Sequence, residues 1–486
     1  MYIRNEDTIC APATVPGTGA ISVIRVSGPD ALTIADKVIK CKKGSISESK
    51  GYTIKFGVIL DDAGTVLDEV LVSIFRAPHS YTGENSVEIS CHASSYIVSA
   101  VMDLLYSAGC RAAEPGEFTQ RAFLNGKMDL AQAEAVADVI ASQNAAAHRI
   151  AFKQMKGGFS SELKGMRGEL LELVSLMELE LDFSEEEVEF ADRSRLDSLL
   201  EQIIAHVGRL IDSFRLGNAI KNGVPVAIAG ATNTGKSTLL NALLGEDRAI
   251  VSDVHGTTRD TIEETLNIDG ILFRFIDTAG LRETSEVVEK IGIERTFKKI
   301  GEASIVLGMV DLTRDFDSTC ETVKSIVEKV DFETQKLIFL LNKTDISEVN
   351  NNVNIINYIV SLLDTKGVKC SVFENDGTSC SDVQIIPISA KTGARISDLR
   401  SVLAASQRDL LGDSDTTLVT NQRHVQALTD TRASLLRVRE GLACSLPTDL
   451  AAQDIREAIY HLGSIVGEIS TDEVLGNIFR NFCIGK

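Results

Sequence analysis

The sequence contains no tryptophan in 486 residues, and all aromatics together make up 5% of it. A protein that holds single strands by stacking bases on aromatic rings needs more of them. Stacking is therefore not the main device here. Positive charge is also in short supply. Lys and Arg number 49 against 69 Asp and Glu, a formal net charge of −20. That balance argues against a broad nucleic-acid-coating surface, while a local basic groove, and RNA as a substrate, remain open. No apolar run reaches the ~18 residues of a membrane-spanning helix. The first ten residues include Glu6 and Asp7 and show neither a secretory nor a transit pattern. Nine cysteines are scattered from Cys10 to Cys483, and no two have C-x-x-C spacing. Neither a zinc ribbon nor a redox pair is encoded locally. The expectation is a cytoplasmic protein with reduced thiols and no membrane attachment.

What is present is an ordinary globular chain, 44% hydrophobic and 24% charged, long enough for about three domains. Proline partitions it. Five of the eight prolines lie at or before Pro115, and none occurs between Gly116 and Val224. Residues 1–125 alternate short apolar runs with turns; 20–26, 52–60, 66–76 and 86–92 read as strands and 97–107 as a helix. This is an α+β domain. From 126 to 221 the texture is helical. Residues 131–140 are rich in helix formers, and Leu170, Leu171, Val174, Leu176, Met177 and Leu181 recur at helical spacing. The acidic run 183–190 reads as a solvated helix start. From 222 to 412, strand–turn–helix units suggest a parallel α/β sheet, with an elaborated loop and helix at 348–382. From 413 to 486 the chain is helical again, with Val425, Leu428, Leu435 and Val438 on one face. The architecture expected is an N-terminal α+β domain, then an all-α domain split in two by an inserted α/β P-loop domain of Ras-like type. Insertions are tolerated where a chain's two crossing points lie close together.

The inserted segment carries the chemistry. An apolar run, 224–229, leads into Gly230-Ala231-Thr232-Asn233-Thr234-Gly235-Lys236-Ser237 and then into the helical 238–244. In G-x-x-x-x-G-K-S the glycines let backbone N–H groups curl around phosphates at a helix N-terminus. Lys236 suits the β/γ-phosphates, and Ser237 offers a hydroxyl to Mg²⁺. A second run, 271–276, ends in Asp277-Thr278-Ala279-Gly280. Asp277 suits the outer sphere of Mg²⁺, and the Gly280 amide suits the γ-phosphate. A third run ends in Asn342-Lys343-Thr344-Asp345. The Asp345 carboxylate can accept from N1–H and the exocyclic amino group of guanine, a pair that adenine does not offer. Ser389-Ala390-Lys391 follows a fourth run, and its backbone suits the guanine O6. Four elements, each at the C-terminal end of an expected strand, specify GTP. The nucleotide contacts are expected from Asn233, Thr234, Gly235, Lys236, Ser237 and Thr238. Further contacts come from Ser252, Asp253, Val254, His255, Gly256, Thr257 and Thr258, together with the three later loops. Thr258 is the switch residue expected to close over Mg²⁺ and the γ-phosphate.

Catalysis is less direct to read. Leu281 stands where Ras-like GTPases place a water-orienting Gln. Asn233 in the phosphate loop is one candidate to compensate, through a monovalent cation placed where an arginine finger acts. Glu289, twelve residues after Asp277, is another, as a holder of the attacking water. Glu283, Glu286 and Glu294 crowd the same stretch, and spacing alone does not choose among them. Arg282 and Arg295 read as solvated surface.

Beyond these loops the chain resembles the MnmE (TrmE) family of tRNA-modification GTPases over nearly its whole length. Asp7-Thr8-Ile9 with residues 17–28, Tyr81-Thr82-Gly83-Glu84, Pro115-Gly116-Glu117-Phe118, Arg121–Lys127 (RAFLNGK) and the ending 479–486 carry the resemblance. It implies an N-terminal domain that binds a 5-formyl-tetrahydrofolate-type folate and dimerises. Arg25, Glu88, Lys127 and Lys486 match the folate-contacting positions. It implies potassium-stimulated hydrolysis, with Asn233, Ser252, Val254 and Thr257 as K⁺ ligands and Glu289 as the catalytic glutamate beside Lys236. Cys483 matches a cysteine with a role in the modification. The resemblance further implies an FAD-containing partner, MnmG (GidA), and tRNA as substrate. The product is an aminomethyl or carboxymethylaminomethyl-type group at C5 of wobble uridine 34. Two departures stand out. His92-Ala93-Ser94 replaces the usual His-Gly-Gly, and 348–382 looks enlarged.

The alternative reading is a ribosome-assembly GTPase without modification activity. Such proteins append a KH-like module with a GxxG loop amid basic residues, and none follows Thr417. A third reading, a scaffold that only dimerises on nucleotide, leaves the folate-type positions and Cys483 unexplained.

Overall fold

The structure is a computed structural model. It describes the chain apart from residues 1–6, 62, 184–192, 246–263, 277–299, 348, 373–382, 408–416, 445–447, 469–471, 481, 483–484 and 486. Two compact units result: one from Met1–Ala141, Ala151–Ile211 and Gln422–Lys486, the other from Ser142–Ile150 and Asp212–Asn421.

The first unit begins with β1 (Ile9–Pro12), β2 (Ile21–Ser27), α1 (Ala31–Val38), β3 (Ile39–Cys41) and β4 (Thr53–Leu60). It continues with β5 (Val66–Phe75), β6 (Ser86–His92), α2 (Ser95–Ala108) and β7 (Arg111–Ala112). The sheet order is β3-β4-β5-β6-β2-β1-β7. Neighbours are antiparallel except β1 and β7. Strand alternation sets the two faces. Val70, Val72 and Ile74 of β5 point into a core with Ile34 of α1 and Val101 and Leu105 of α2. The opposite face leaves Ile21, Ile54, Phe56 and Leu71 exposed, with Phe56 directly across from Leu71. The short strands β1, β3 and β7 have too few residues to show a period, and the helices at Ala31–Val38 and Glu117–Leu124, each eight residues long, add to the one expected at 97–107.

The helices of this unit are α3 (Glu117–Leu124), α4 (Leu130–Ala141), α6 (Gly158–Phe183), α7 (Arg193–Asp212), α13 (Gln422–Ala443), α14 (Thr448–Val466) and α15 (Asp472–Phe479), with α5 (Ala145–Met155) at the division between the units. Arg121 of α3 is fully buried and bonds Asp7, Glu84 and Glu117 at 2.7, 3.2 and 2.9 Å. A buried guanidinium needs such partners. They tie α3 to the loop before β6 and to the chain before β1.

The second unit holds α8 (Phe214–Asn222), β8 (Val224–Ala229), α9 (Lys236–Gly245), β9 (Glu264–Ile268), β10 (Ile271–Ile276), β11 (Ile305–Asp311) and α10 (Phe316–Val327). It continues with β12 (Lys336–Asn342), α11 (Val349–Asp364), β13 (Cys370–Val372), β14 (Val383–Pro387) and α12 (Ile396–Ser406). The order is β13-β14-β12-β11-β8-β10-β9. The sequence suggested a parallel sheet, and one edge corrects it: β9 runs antiparallel to β10. The reason is a two-residue hairpin. Asp269 and Gly270 both have positive φ, 50° and 84°, as a tight turn between twisted strands requires. The remaining pairs are parallel. β11 is buried along its whole length, because helices cover both faces. Leu239, Leu243, Leu399 and Val402 pack one side, and Val323, Ile326, Ile355 and Ile359 the other. In the stretch 348–382, α11 and β13 supply the expected helix and add an edge strand. The chain leaves this unit beside the point where it enters. Val419 N–H donates to Ser213 Oγ at 3.1 Å, and a Cβ on Gly217 would fall on the Val419 carbonyl.

Among the described residues no helix is long and apolar enough to cross a membrane.

Candidate nucleotide-binding site

The loops that follow β8, β11, β12 and β14 meet at the C-terminal end of the second sheet, where the strand order reverses around β8. Open α/β sheets bind ligands there. The loop after β8 has the curl that its sequence requires. Gly235 has φ 98°, and a Cβ on it would collide with the Asn342 side-chain amide. Asn233 has φ 60° and is exposed, a left-handed conformation that Asn tolerates. Thr234 is 1% exposed, and its Oγ1 donates to the Ala231 carbonyl at 2.9 Å. Lys236 opens α9 and turns back into the loop. Its Nζ donates to the carbonyls of Gly230 and Ala231 at 2.7 and 3.0 Å. Burial, and the nearby Arg314 cation, push its ammonium pKa down. An anion beside Lys236 would offset both. Ser237 lies in the same first turn, half-buried, and Thr238 is exposed.

Asn342, 3% exposed, joins two loops. Its Nδ2 donates to the Thr234 carbonyl at 2.7 Å, and its Oδ1 accepts from Ala390 N–H at 2.9 Å. Phosphate loop and base loop are thus fixed to one side chain. Lys343 follows at φ 69°, and its Nζ pairs with Asp311 Oδ2 at 2.6 Å. Burial works against the Asp311 charge, but bonds from Lys343 and Thr313 outweigh it and hold the carboxyl below its ordinary range. Asp345 is exposed, and its Oδ1 accepts from Ser389 Oγ at 2.8 Å. That bond orients the carboxylate, whose two oxygens retain lone pairs for a two-point contact. Lys391 is exposed beside the buried Ala390.

The structure brings Asn233 to Thr238, Asn342, Lys343, Asp345, Ser389, Ala390 and Lys391 to this one end. The other expected residues lie outside the described ones. They are Ser252, Asp253, Val254, His255, Gly256, Thr257, Thr258, Asp277, Thr278, Ala279, Gly280, Glu289, Cys483 and Lys486. Asp311 and Arg314 were missed. Asp311 ends a buried strand in the same row as the recognised loops, which was the available signal. Arg314 Nη2 donates to the Thr232 carbonyl, a contact that no local pattern encodes.

In the first unit, Arg25 and Glu88 are Cα partners across β2 and β6 and pair at 2.9 Å. The Arg25 guanidinium lies 5.2 Å from the Tyr81 ring centre and 5.6 Å from that of Phe118. Its Nη1 donates to the Gly485 carbonyl at 3.3 Å. Gly485 has φ 96°, and a Cβ there would meet the Pro12 carbonyl. Gly116 likewise allows Phe479 and Phe482 against α3. Gly485 is thereby seated on β1 and β2. Lys127 Nζ donates to the Pro78 carbonyl at 2.9 Å.

A doubly wound sheet with a G-x-x-x-x-G-K-S loop and an Asn-Lys-x-Asp loop held together by Asn342 defines the class: a P-loop GTPase. Two family profiles match the chain, the GTP-binding protein TrmE N-terminus over residues 8–127 and the MnmE helical domain over 130–483. Full-length relatives agree. The tRNA modification GTPase MnmE of Parabacteroides distasonis is 52% identical over 483 residues, 99% of this chain and 100% of that protein. Those of Bacteroides fragilis and Flavobacterium johnsoniae are 52% and 49% identical, again over 99% of this chain and 100% of theirs. The chain belongs to the MnmE (TrmE) family of tRNA modification GTPases.

Proposed function

We propose that this protein hydrolyses GTP, stimulated by potassium, as one half of an enzyme that modifies C5 of wobble uridine 34 in tRNA. The observation that carries the guanine-nucleotide reading is Asn342. It fixes the Thr234 carbonyl and the Ala390 amide at 2.7 and 2.9 Å, so the phosphate and base loops form one rigid recess.

In this reading Asp345, oriented by Ser389, selects guanine. Lys236 and the loop amides bind the phosphates, and Gly235 lets the backbone come close. Ser237 and Thr258 would hold Mg²⁺, which supplies charge neutralisation at the phosphates. Asn233, with Ser252, Val254 and Thr257, would hold K⁺. The exposed, left-handed Asn233 suits such a ligand. Glu289 would orient the attacking water.

The first unit would hold the one-carbon donor, a 5-formyl-tetrahydrofolate-type folate. Arg25 and Glu88 offer a cation and an anion side by side against Tyr81, a donor set that suits a pterin edge and a carboxylate. Lys127 and Lys486 would complete it, and Cys483 would take part in the modification. The exposed apolar face with Ile54, Phe56 and Leu71 supports homodimerisation through this unit. The domains are 1–125 for folate and dimerisation, 222–412 for GTP, and 126–221 with 413–486 for the helical domain. An FAD-containing partner of the MnmG type and tRNA complete the assembly.

The test is mass spectrometry of tRNA nucleosides from cells with and without the gene. Loss of C5-aminomethyl-type uridines on deletion, restored by wild type but not by Cys483→Ser, is the expected result. An unchanged nucleoside profile would overturn the modification reading. Equal GTP turnover in potassium and sodium would overturn the cation role of Asn233.

A further inference from the structure

The carbonyl oxygens of the phosphate loop are engaged one after another. Lys236 lies on those of Gly230 and Ala231, and Asn342 holds that of Thr234. The carbonyl of Thr232 goes to a residue from outside the loop, Arg314, whose Nη2 donates to it. Arg314 follows the end of β11. Its Nε lies 3.9 Å from Asp311 Oδ2, the same oxygen that receives Lys343 Nζ at 2.6 Å. The Asp311 side chain is 3% exposed and that of Arg314 32%. A buried carboxylate therefore steers a half-buried guanidinium onto the lip of the loop.

The Thr232 carbonyl and the Asn233 N–H are the two ends of one peptide unit. Among the described residues the only cis bond is Ala77–Pro78, so this unit is trans and its C=O and N–H point in opposite directions. A loop that cradles an anion turns its N–H groups inward. The outward end is where Arg314 sits. A charged donor on a carbonyl fixes the plane of its peptide and polarises the N–H at the far end.

We propose that Arg314 is a positioning residue for GTP hydrolysis, acting through the Thr232 carbonyl to hold and polarise the Asn233 N–H as a donor to the phosphate chain. The proposal rests on the GTPase reading above. Charge redistributes over the phosphate oxygens as the γ-phosphoryl group leaves. A donor oriented in advance counts for more in that transition state than in the bound substrate. Arg314 therefore acts on kcat more than on binding.

The experiment measures kcat and KM for GTP, and Kd for GDP, on the full chain with Mg²⁺ in potassium buffer. Arg314→Ala is expected to lower kcat about tenfold, with KM and the GDP Kd within about threefold of wild type. Arg314→Gln, which keeps an N–H donor and drops the charge, is expected to fall between. Wild-type kcat in either variant would overturn the proposal. So would a loss of GDP affinity in proportion to kcat, because Arg314 would then only shape the loop. If Arg314→Ala does not fold, Arg314→Gln carries the same comparison. A wild-type chain that does not hydrolyse GTP would instead overturn the GTPase reading.

Discussion

Glu134 on α4 and His424 on α13 meet at 2.6 Å, although 290 positions separate them in the chain. Both side chains are buried, and Arg423 adds a second contact to Glu134 at 3.0 Å. Burial alone would raise the Glu134 pKa. His424 and Arg423 outweigh it and hold the carboxyl at about 2, against an ordinary 4.5. Breaking such a pair from one side costs about 3 kcal/mol. Because the folded-state value is the lower one, the contribution is complete above the ordinary value and fades as pH falls toward 2. Glu134→Gln is expected to lower the urea midpoint at neutral pH and to approach wild type in acid. With no tryptophan to report, far-UV circular dichroism is the measurement. Equal midpoints at pH 7 would contradict the assignment.

Asn342→Ala removes two hydrogen bonds and leaves Ala390 N–H and the Thr234 carbonyl without that partner. Two bonds of this kind amount to about 2–3 kcal/mol, or roughly 30- to 150-fold in affinity. GTP and GDP should weaken alike, because the damage falls on the recess and not on the γ-phosphate. Calorimetric titration with each nucleotide tests this. A loss confined to GTP would place the role of Asn342 elsewhere.

Asp345→Asn exchanges a pure acceptor for a group with one acceptor and one donor face. Guanine presents two donors to this position, whereas xanthine presents a donor and a carbonyl. The variant should lose GTP affinity at least about tenfold and bind xanthosine triphosphate better than wild type does. Competition against a fluorescent guanine nucleotide measures both. Unchanged preference would remove Asp345 from base selection.

Gly485→Ala adds a methyl where φ is 96° and where the Pro12 carbonyl lies in the way. Strain of this kind costs about 1–3 kcal/mol and is relieved by lifting the tail from β1. Binding of 5-formyl-tetrahydrofolate is expected to weaken about tenfold, and GDP binding to stay as it was. Equal folate affinity would mean that the tail does not contribute to that site.

The recognised loops were legible because each is a contiguous string whose residue types follow from close backbone approach and phosphate charge. The strands beneath them were legible too, since a run such as 337–341 is apolar throughout. What distance in sequence hides was not. Arg25 and Glu88 face each other only through the β2–β6 register, and Arg314 reaches Thr232 across 82 positions. The antiparallel β9 had a local signal in Asp269-Gly270, but the surrounding strand–helix pattern pointed to crossovers. Strands of two to four residues, such as β7 and β1, carry too little alternation to stand out.

The bond between Ser213 and Val419 has a consequence for the order of synthesis. A ribosome adding about 5–20 residues per second finishes this loop-closed segment before α13 exists. The second unit can settle on its own sheet while α4 still awaits His424. Because its two ends are stitched together, completing it brings residue 419 back beside residue 213. The long-range closure between α4 and α13 then becomes, in effect, a short one.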